Sequence, residues 1–396
     1  MRQIADLPDL DFNSADYVAA PFATLAAHGQ KWPLARSARG VEILDYDLCR
    51  KAVLDRQLGT GHPKLMNVLG LPEGRPLNYK RQSISFHNRG PRRRDLRLPL
   101  ARLMGPEGTE TFRREVDGVV QRVIEAIPKG EPTDLIETLC DPTPSAVYCY
   151  WMGAPFEDAA FVARTSHSVQ KVHTRNPEFA EEIINAFEAL IDFAEARIAA
   201  CRAAPGDNLL TDLIKAEEAG QLDEDDLRNW VIKLAEANTD NSSHQIGIAV
   251  IELASRPEVW ARLGRDPSLV PAAVREVMRY HPRTISTSRE AMEDMVIADV
   301  AIPKGTPVFA NIGATHWDER YYAEPETFDI DRTDEPPHLN FGGGIFSCIG
   351  RYAVTMEVEQ VISHLATRYP NLAVEDHGFT HSPMFTSVSR LVARLQ

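Results

Sequence analysis

The chain has 396 residues, 43% of them hydrophobic, and a formal net charge of −14. That is ample apolar material for an extensive core, and the wrong sign for general nucleic-acid binding, which needs a dominant basic surface. Its five cysteines (Cys49, Cys140, Cys149, Cys201, Cys348) are odd in number, widely spaced and without a Cys-x-x-Cys pair, which argues against a disulfide framework or a zinc site.

The first residues carry Asp6, Asp9 and Asp11 where a signal peptide would be basic and then apolar, and no run of about 18 apolar residues occurs anywhere. A cytoplasmic, reducing location with no membrane contact is the expectation. Along the chain, Val41-Glu42-Ile43-Leu44 reads as a short strand. A basic run, Arg92, Arg93, Arg94 and Arg97, follows Pro91. Helical periodicity then dominates from residue 107 to 280, broken by turn signals such as Pro128-Lys129-Gly130 and Ala204-Pro205-Gly206-Asp207. The longest helix is expected from near Asp223 to Ser255, a length of about 50 Å that crosses a whole domain. Its middle, Glu236-Ala237-Asn238-Thr239-Asp240-Asn241-Ser242-Ser243-His244, is polar. Such a run inside a central helix costs stability unless it lines a cavity or pairs internally.

Glu276 and Arg279 come next, at i and i+3 on one helix face. Further short strands are expected at Met295-Val296-Ile297, Thr306-Pro307-Val308-Phe309-Ala310 and Leu391-Val392-Ala393-Arg394-Leu395. No repeat, low-complexity tract or linker divides the sequence. The expectation is one mainly helical domain over residues 1–396 with small peripheral β-sheets.

The most informative segment is Phe341-Gly342-Gly343-Gly344-Ile345-Phe346-Ser347-Cys348-Ile349-Gly350. Its glycines permit positive φ and close approach to something flat and bulky. Val354, Val358, Val361, Ile362 and Leu365 follow at helical spacing, so Cys348 is expected at a helix N-terminus, where the macrodipole favours a thiolate suited to a metal. The plainer alternative is a glycine-rich turn around a buried structural cysteine. A phosphate-binding loop is less compatible, because no Lys-Ser/Thr follows the glycines.

This loop resembles the haem-binding loop of the cytochrome P450 family, Phe-Gly-x-Gly-x-(His/Arg)-x-Cys-x-Gly, with Phe346 in place of the basic residue. The resemblance extends from Arg93 to the C-terminus. Glu276-Val277-Met278-Arg279 matches the family's Glu-x-x-Arg helix, which braces the cysteine loop together with an arginine, here Arg332. The implied cofactor is haem b, with Cys348 as the iron ligand and Arg93, Arg97, Arg289, Phe341, Gly342 and Gly350 around it. Arginine suits the propionates because its planar fork binds a carboxylate through two N–H donors. Arg93 is a candidate to compensate for Phe346.

The family fold implied is a long central helix over a haem, and the implied reaction is monooxygenation. One atom of O2 enters a small organic substrate by hydroxylation or O-dealkylation, with electrons from NAD(P)H through a separate ferredoxin and ferredoxin reductase. Asp240 stands at the family's acid position, and Asn241 replaces its threonine. These two are the candidate catalytic residues. Phe86, Ala237, Asn241, Ile285, Met384 and Phe385 are candidate pocket walls, and His167, Lys171 and His173 are polar candidates on a helix that is otherwise expected to face solvent. The missing threonine leaves two other readings open: a non-monooxygenase reaction on the same fold (peroxide-driven oxidation, oxidative coupling or dehydration), or a non-catalytic haem sensor.

Overall fold

The computed structural model describes residues 1–60, 72–87, 90–174, 176–333 and 335–396. The long helix runs Glu224–Ala254, within two residues of expectation. Its start is fixed by a reciprocal cap: Asp226 N donates to Asp223 Oδ1 at 2.8 Å and Asp223 N to Asp226 Oδ2 at 3.1 Å. The acidic first turn also suits the positive end of the helix dipole. Its stop precedes Pro257, which opens the next helix and cannot continue an earlier one.

The chain forms two compact units, one of Met1–Gly61, Ile248–Cys348 and Ala373–Leu391, the other of His62–Gly247, Ile349–Leu372 and Val392–Gln396. The first unit holds a five-stranded sheet of Leu34–Ser37, Gly40–Ile43, Pro307–Asn311, Ser286–Ala291 and Leu58–Gly59, in that spatial order. Gly40–Ile43 pairs parallel with Pro307–Asn311, which pairs antiparallel with Ser286–Ala291, so that Arg289 sits opposite Val308. Met295–Ile297 and Val300–Ile302 make a two-stranded sheet. Val41, Ile43, Tyr46, Cys49, Val308 and Ala310 belong to one apolar cluster, onto which the helix Tyr46–Leu54 folds, capped by the Asp45 side chain at Leu48 N.

The second unit is almost wholly helical. Helix Pro106–Glu125 buries Val116, Val120, Val123 and Ile124 and packs beside Arg351–Arg368. Two polar contacts fix their register: Gln360 Nε2 donates to Arg113 O at 2.7 Å, and His364 Nε2 lies 2.7 Å from Asp117 Oδ1. The tail strand runs Thr386–Arg394, starting five residues earlier than the short strand expected from residue 391, and Val392 and Ala393 pair with Asp134 and Thr133. Among the described residues no helix is long and apolar enough to cross a membrane.

Candidate active site

In the first unit the cysteine loop is built by its own backbone. Gly342 N donates to Leu339 O at 2.9 Å, Phe346 N to Gly343 O at 3.2 Å, and Cys348 N to Phe341 O at 2.8 Å. Gly342 and Gly344 take φ of +61° and +58°, a region that penalises any side chain. Gly343 is closely packed, since a Cβ there would stand 3.0 Å from Val53 Cγ2 and Leu54 Cδ2 and push those side chains aside. Cys348 is thereby left exposed, whereas Cys49, Cys140, Cys149 and Cys201 are buried. The following helix begins at Arg351 with Gly350 at its N-cap, so the sulfur lies just ahead of the first turn rather than on it.

The segment ahead of the loop is braced by the Glu276–Arg279 pair, both residues buried. Arg279 Nε and Nη2 each donate to the Glu276 carboxylate at 2.7 Å. Arg279 also reaches His316 O, Pro325 O and Thr327 O at 3.0, 2.8 and 3.1 Å. Glu276 Oε1 in turn accepts from Asp329 N at 2.9 Å and from Arg332 Nε at 3.3 Å. Each lone pair of a buried carboxylate is costly unless used, and here they are used to lock one irregular segment. Asn340 Nδ2 then ties the loop to this helix at Met278 O, 2.7 Å away.

Arg289 is the unusual charge. It is buried, its Nη1 donates to Thr287 Oγ1 and Ser288 O at 3.0 and 2.8 Å, and its Nε has no hydrogen-bond partner. Its guanidinium lies 4.8 Å from the Phe346 ring centroid, and burial alone lowers its pKa to about 10. A buried cation with an orphaned donor fits an anionic group such as a haem propionate. Among the described residues no group of three or more His, Cys, Asp or Glu is placed to hold a metal ion. A lone thiolate such as Cys348 suits a cofactor that brings its other ligands, as haem does.

The second unit holds Asp240, the residue expected at the acid position. Asp240 Oδ1 lies 3.2 Å from His167 Nδ1, and His167 Nε2 lies 3.1 Å from Asp141 Oδ2. Two carboxylates beside one imidazole raise its pKa to about 10, against the cost of burial, Asp141 contributing first and Asp240 second. His167 is therefore a cation at neutral pH. Ser243 Oγ donates to Asp141 Oδ1 at 2.5 Å and Asn238 Nδ2 to Pro144 O at 3.3 Å, so the polar run pairs internally over part of its length. Asn241 turns its Nδ2 back onto Ala237 O at 3.0 Å. Ala237 is exposed and Asn241 half-buried in mid-helix.

The remaining expectations divide. Arg93 is buried, and its Nη1 donates to Ile84 O and His87 O at 2.7 and 2.8 Å. Arg97 is half-buried one helical turn later. Arg92 belongs to Asp226, with Nη1 at 2.9 Å, so the basic run is partly neutralised by the start of the long helix. The side chain of Phe86 lies outside the described residues. Met384 and Phe385 keep partial exposure, but Ile285 corrects its expectation: it is fully buried in the cluster of Tyr17, Phe22, Leu25 and Ala314 and has no surface with which to wall a pocket. Sequence reasoning missed Asp141, Tyr79 and Lys80, whose partners lie far away along the chain and leave no local signal.

A family model for cytochrome P450 matches residues 73–383, running through both units. The chain belongs to the cytochrome P450 family. The P450 is 29% identical over 376 residues to luteothin monooxygenase of Streptomyces thioluteus, covering 94% of this chain and 92% of that one. It is 32% identical over 285 residues to nocardicin C N-oxygenase of Nocardia uniformis subsp. tsuyamanensis, covering 70% and 69%. In fold it matches the crystal structure of CalO2 with a TM-score of 0.89 at 22% identity, covering 98% and 99% of the two chains. The epothilone D-bound P450epoK matches with a TM-score of 0.88. The protein is thus a P450 enzyme of the oxidoreductase class, mainly α with small sheets, and its family implies haem.

Proposed function

We propose that this P450 is a haem-thiolate monooxygenase, one domain over residues 1–396, that inserts one oxygen atom from O2 into a small organic substrate by hydroxylation or O-dealkylation. Electrons come from NAD(P)H through a separate ferredoxin and ferredoxin reductase. The observation that supports it best is the pairing, in one unit, of an exposed Cys348 on a glycine-built loop with a buried Arg289 that has an orphaned donor. Relatives named as a monooxygenase and an N-oxygenase agree with oxygen insertion.

In this reading Cys348 binds the iron of haem b, Arg289 neutralises a propionate, and Phe341, Gly342 and Gly350 shape the loop. Arg93 and Arg97 serve the same cofactor from the helix Pro91–Leu103. When bound, haem supplies the iron at which O2 is activated, and a thiolate ligand favours O–O cleavage. The chain itself must supply protons and hold the substrate. Asp240, positioned by His167 Nδ1 at 3.2 Å, connects this region to solvent, from which the protons come. Asn241 offers an amide that both donates and accepts, and it either holds a substrate oxygen or positions water. Ala237 in the second unit, and Met384 and Phe385 in the first, each offer open apolar surface to a substrate.

Because Asn241 lacks the hydroxyl usual for the relay, peroxide-driven turnover is the second reading. Cys348→Ser tests the assignment: the variant is expected to lose the long-wavelength absorption of the carbon monoxide complex that thiolate ligation gives. Unchanged absorption would sink it. Product formation with NAD(P)H and a surrogate ferredoxin system supports monooxygenation, and turnover with peroxide alone supports the alternative.

A further inference from the structure

In the first unit one ion pair reaches across the five-stranded sheet. Arg39 lies in the two-residue turn between Leu34–Ser37 and Gly40–Ile43. Gly40 has φ of +147°, and a Cβ there would stand 2.4 Å from Pro307 O, so only glycine lets this turn lie against the strand Pro307–Asn311. Arg39 Nε and Nη2 donate to the two oxygens of Glu42 at 2.7 and 2.9 Å, and its guanidinium lies over the rings of Phe309 and Phe12, 3.9 and 4.6 Å from their centroids. Glu42 is fully buried and also accepts from Ser37 Oγ at 2.6 Å and from Asn311 Nδ2 at 2.8 Å. A buried carboxylate gripped by a planar fork holds that fork in one orientation.

The remaining donors of Arg39 reach a different segment. Its Nη1 donates to Pro383 O at 3.0 Å, and its Nη2 donates at 3.0 Å to Ser286 Oγ, which donates in turn to Pro383 O at 2.7 Å. Tyr17 OH donates to Ser382 O at 3.3 Å, and Ile285 N donates to Met384 O at 2.9 Å. Three successive carbonyls, those of Ser382, Pro383 and Met384, are thus held by residues from three separate parts of the chain. Inside the turn, Ser382 Oγ accepts from Phe385 N at 2.9 Å, and Ser382 N donates to Phe385 O at 2.9 Å.

Holding the fold together does not require this much. The turn joins Ala373–His381 to Thr386–Arg394, which are neighbouring strands of one sheet, and water satisfies the carbonyls of a surface turn at little cost. Ser382 is exposed, and Pro383, Met384 and Phe385 are partly so. Ordering an arginine side chain and stripping its water are both unfavourable. The result here is a fixed direction for the two apolar side chains at the tip.

We propose that Arg39 is a positioning residue for ligand selection: with Ser286 and Tyr17 it fixes the turn Ser382–Phe385, so that Met384 and Phe385 discriminate among ligands by shape. The proposal rests on the reading that Met384 and Phe385 meet the substrate, whereas the anchoring of the turn stands apart from it.

The test uses the haem-loaded protein and three variants. Arg39→Lys keeps a charge for Glu42 but has no fork with which to reach Pro383 O as well. Ser286→Ala and Tyr17→Phe each remove a bond to the turn while the Arg39–Glu42 pair stays whole, so they remain informative if Arg39→Lys misfolds. Hydrogen exchange of the peptide 382–387 is expected to quicken about fivefold for each hydrogen bond lost. Imidazole, 1-phenylimidazole and 4-phenylimidazole are then titrated by the haem absorption shift. Imidazole is too small to meet the turn and should bind all the proteins equally, whereas the ratio of the two phenylimidazole affinities should change by about threefold or more in each variant. Unchanged exchange would overturn the anchoring, an unchanged ratio would overturn the selection, and an equal change for all three ligands would show general damage and overturn both. The carbon monoxide spectrum of the same preparations separates this proposal from the reading it rests on. A normal spectrum with an unchanged ratio removes the selection role alone, and an abnormal spectrum of the unaltered protein with quickened exchange in the variants removes the haem-thiolate reading and leaves the anchoring.

Discussion

Replacing His167 with glutamine removes the cation that Asp141 and Asp240 share. At about 1.4 kcal/mol per pKa unit, a rise from 6.5 to about 10 sets an upper bound of roughly 5 kcal/mol on what the charged ring contributes to stability. Two features lower that figure: 32% of the side chain is accessible, and the two carboxylates repel each other across the ring, so about 2 kcal/mol is the expected contribution. The sign follows from linkage. A folded-state pKa raised above the unfolded value gives stability that is complete below about 6.5 and is lost as pH rises through about 10. Urea unfolding of the haem-loaded protein at pH 6, 8 and 10, followed by circular dichroism, measures it. The unaltered protein should lose about 2 kcal/mol across that window relative to His167→Gln, whose own curve lacks this component. Parallel pH profiles for the two proteins, or a His167 ring that titrates near 6.5 by NMR, would refute the imidazolium clamp.

Other outcomes follow from the same structure. Glu357 is fully buried against Ser242 and Asn238, and desolvation raises its pKa to about 8. The folded state therefore holds a proton that the unfolded chain releases, stability should fall as pH rises from about 4.5 to 8, and Glu357→Gln should flatten that slope in the same urea assay. Arg279→Lys leaves the buried Glu276 carboxylate with one point contact where it had a fork, and should cost about 3 kcal/mol with loss of haem uptake, read by thermal unfolding and the absorption spectrum. An unchanged melting temperature would show that the brace is dispensable.

What was legible in the sequence was what the chain encodes locally. The cysteine loop, the Glu276–Arg279 pair and the bounds of the central helix follow from spacing, capping residues and prolines. The surroundings of Asp240 were half legible: Asp240 and Asn241 could be placed on the central helix by register, but Asp141 and His167 are brought to Asp240 only by the packing of three helices. The same holds for Lys80 and Tyr79, more than 150 residues from Glu236. Ile285 looked like a pocket wall because it follows the Glu-x-x-Arg helix, and only the packing of Tyr17, Phe22 and Leu25 around it shows that it belongs to the core. The basic run at Arg92 reads as a free patch until Asp226 is brought against it.

The contrast among the cysteines has a practical side. Burial pushes the thiols of Cys49 and Cys140 well above their ordinary range and that of Cys149 to about 12, and Cys201 is also buried, so alkylating reagents at neutral pH have little to react with there. Under the proposed ligation of iron by Cys348, the native protein is close to thiol-silent. A single cysteine introduced on the surface then becomes a unique attachment point for a fluorophore, a spin label or an electrode, with no need to remove any of the native five.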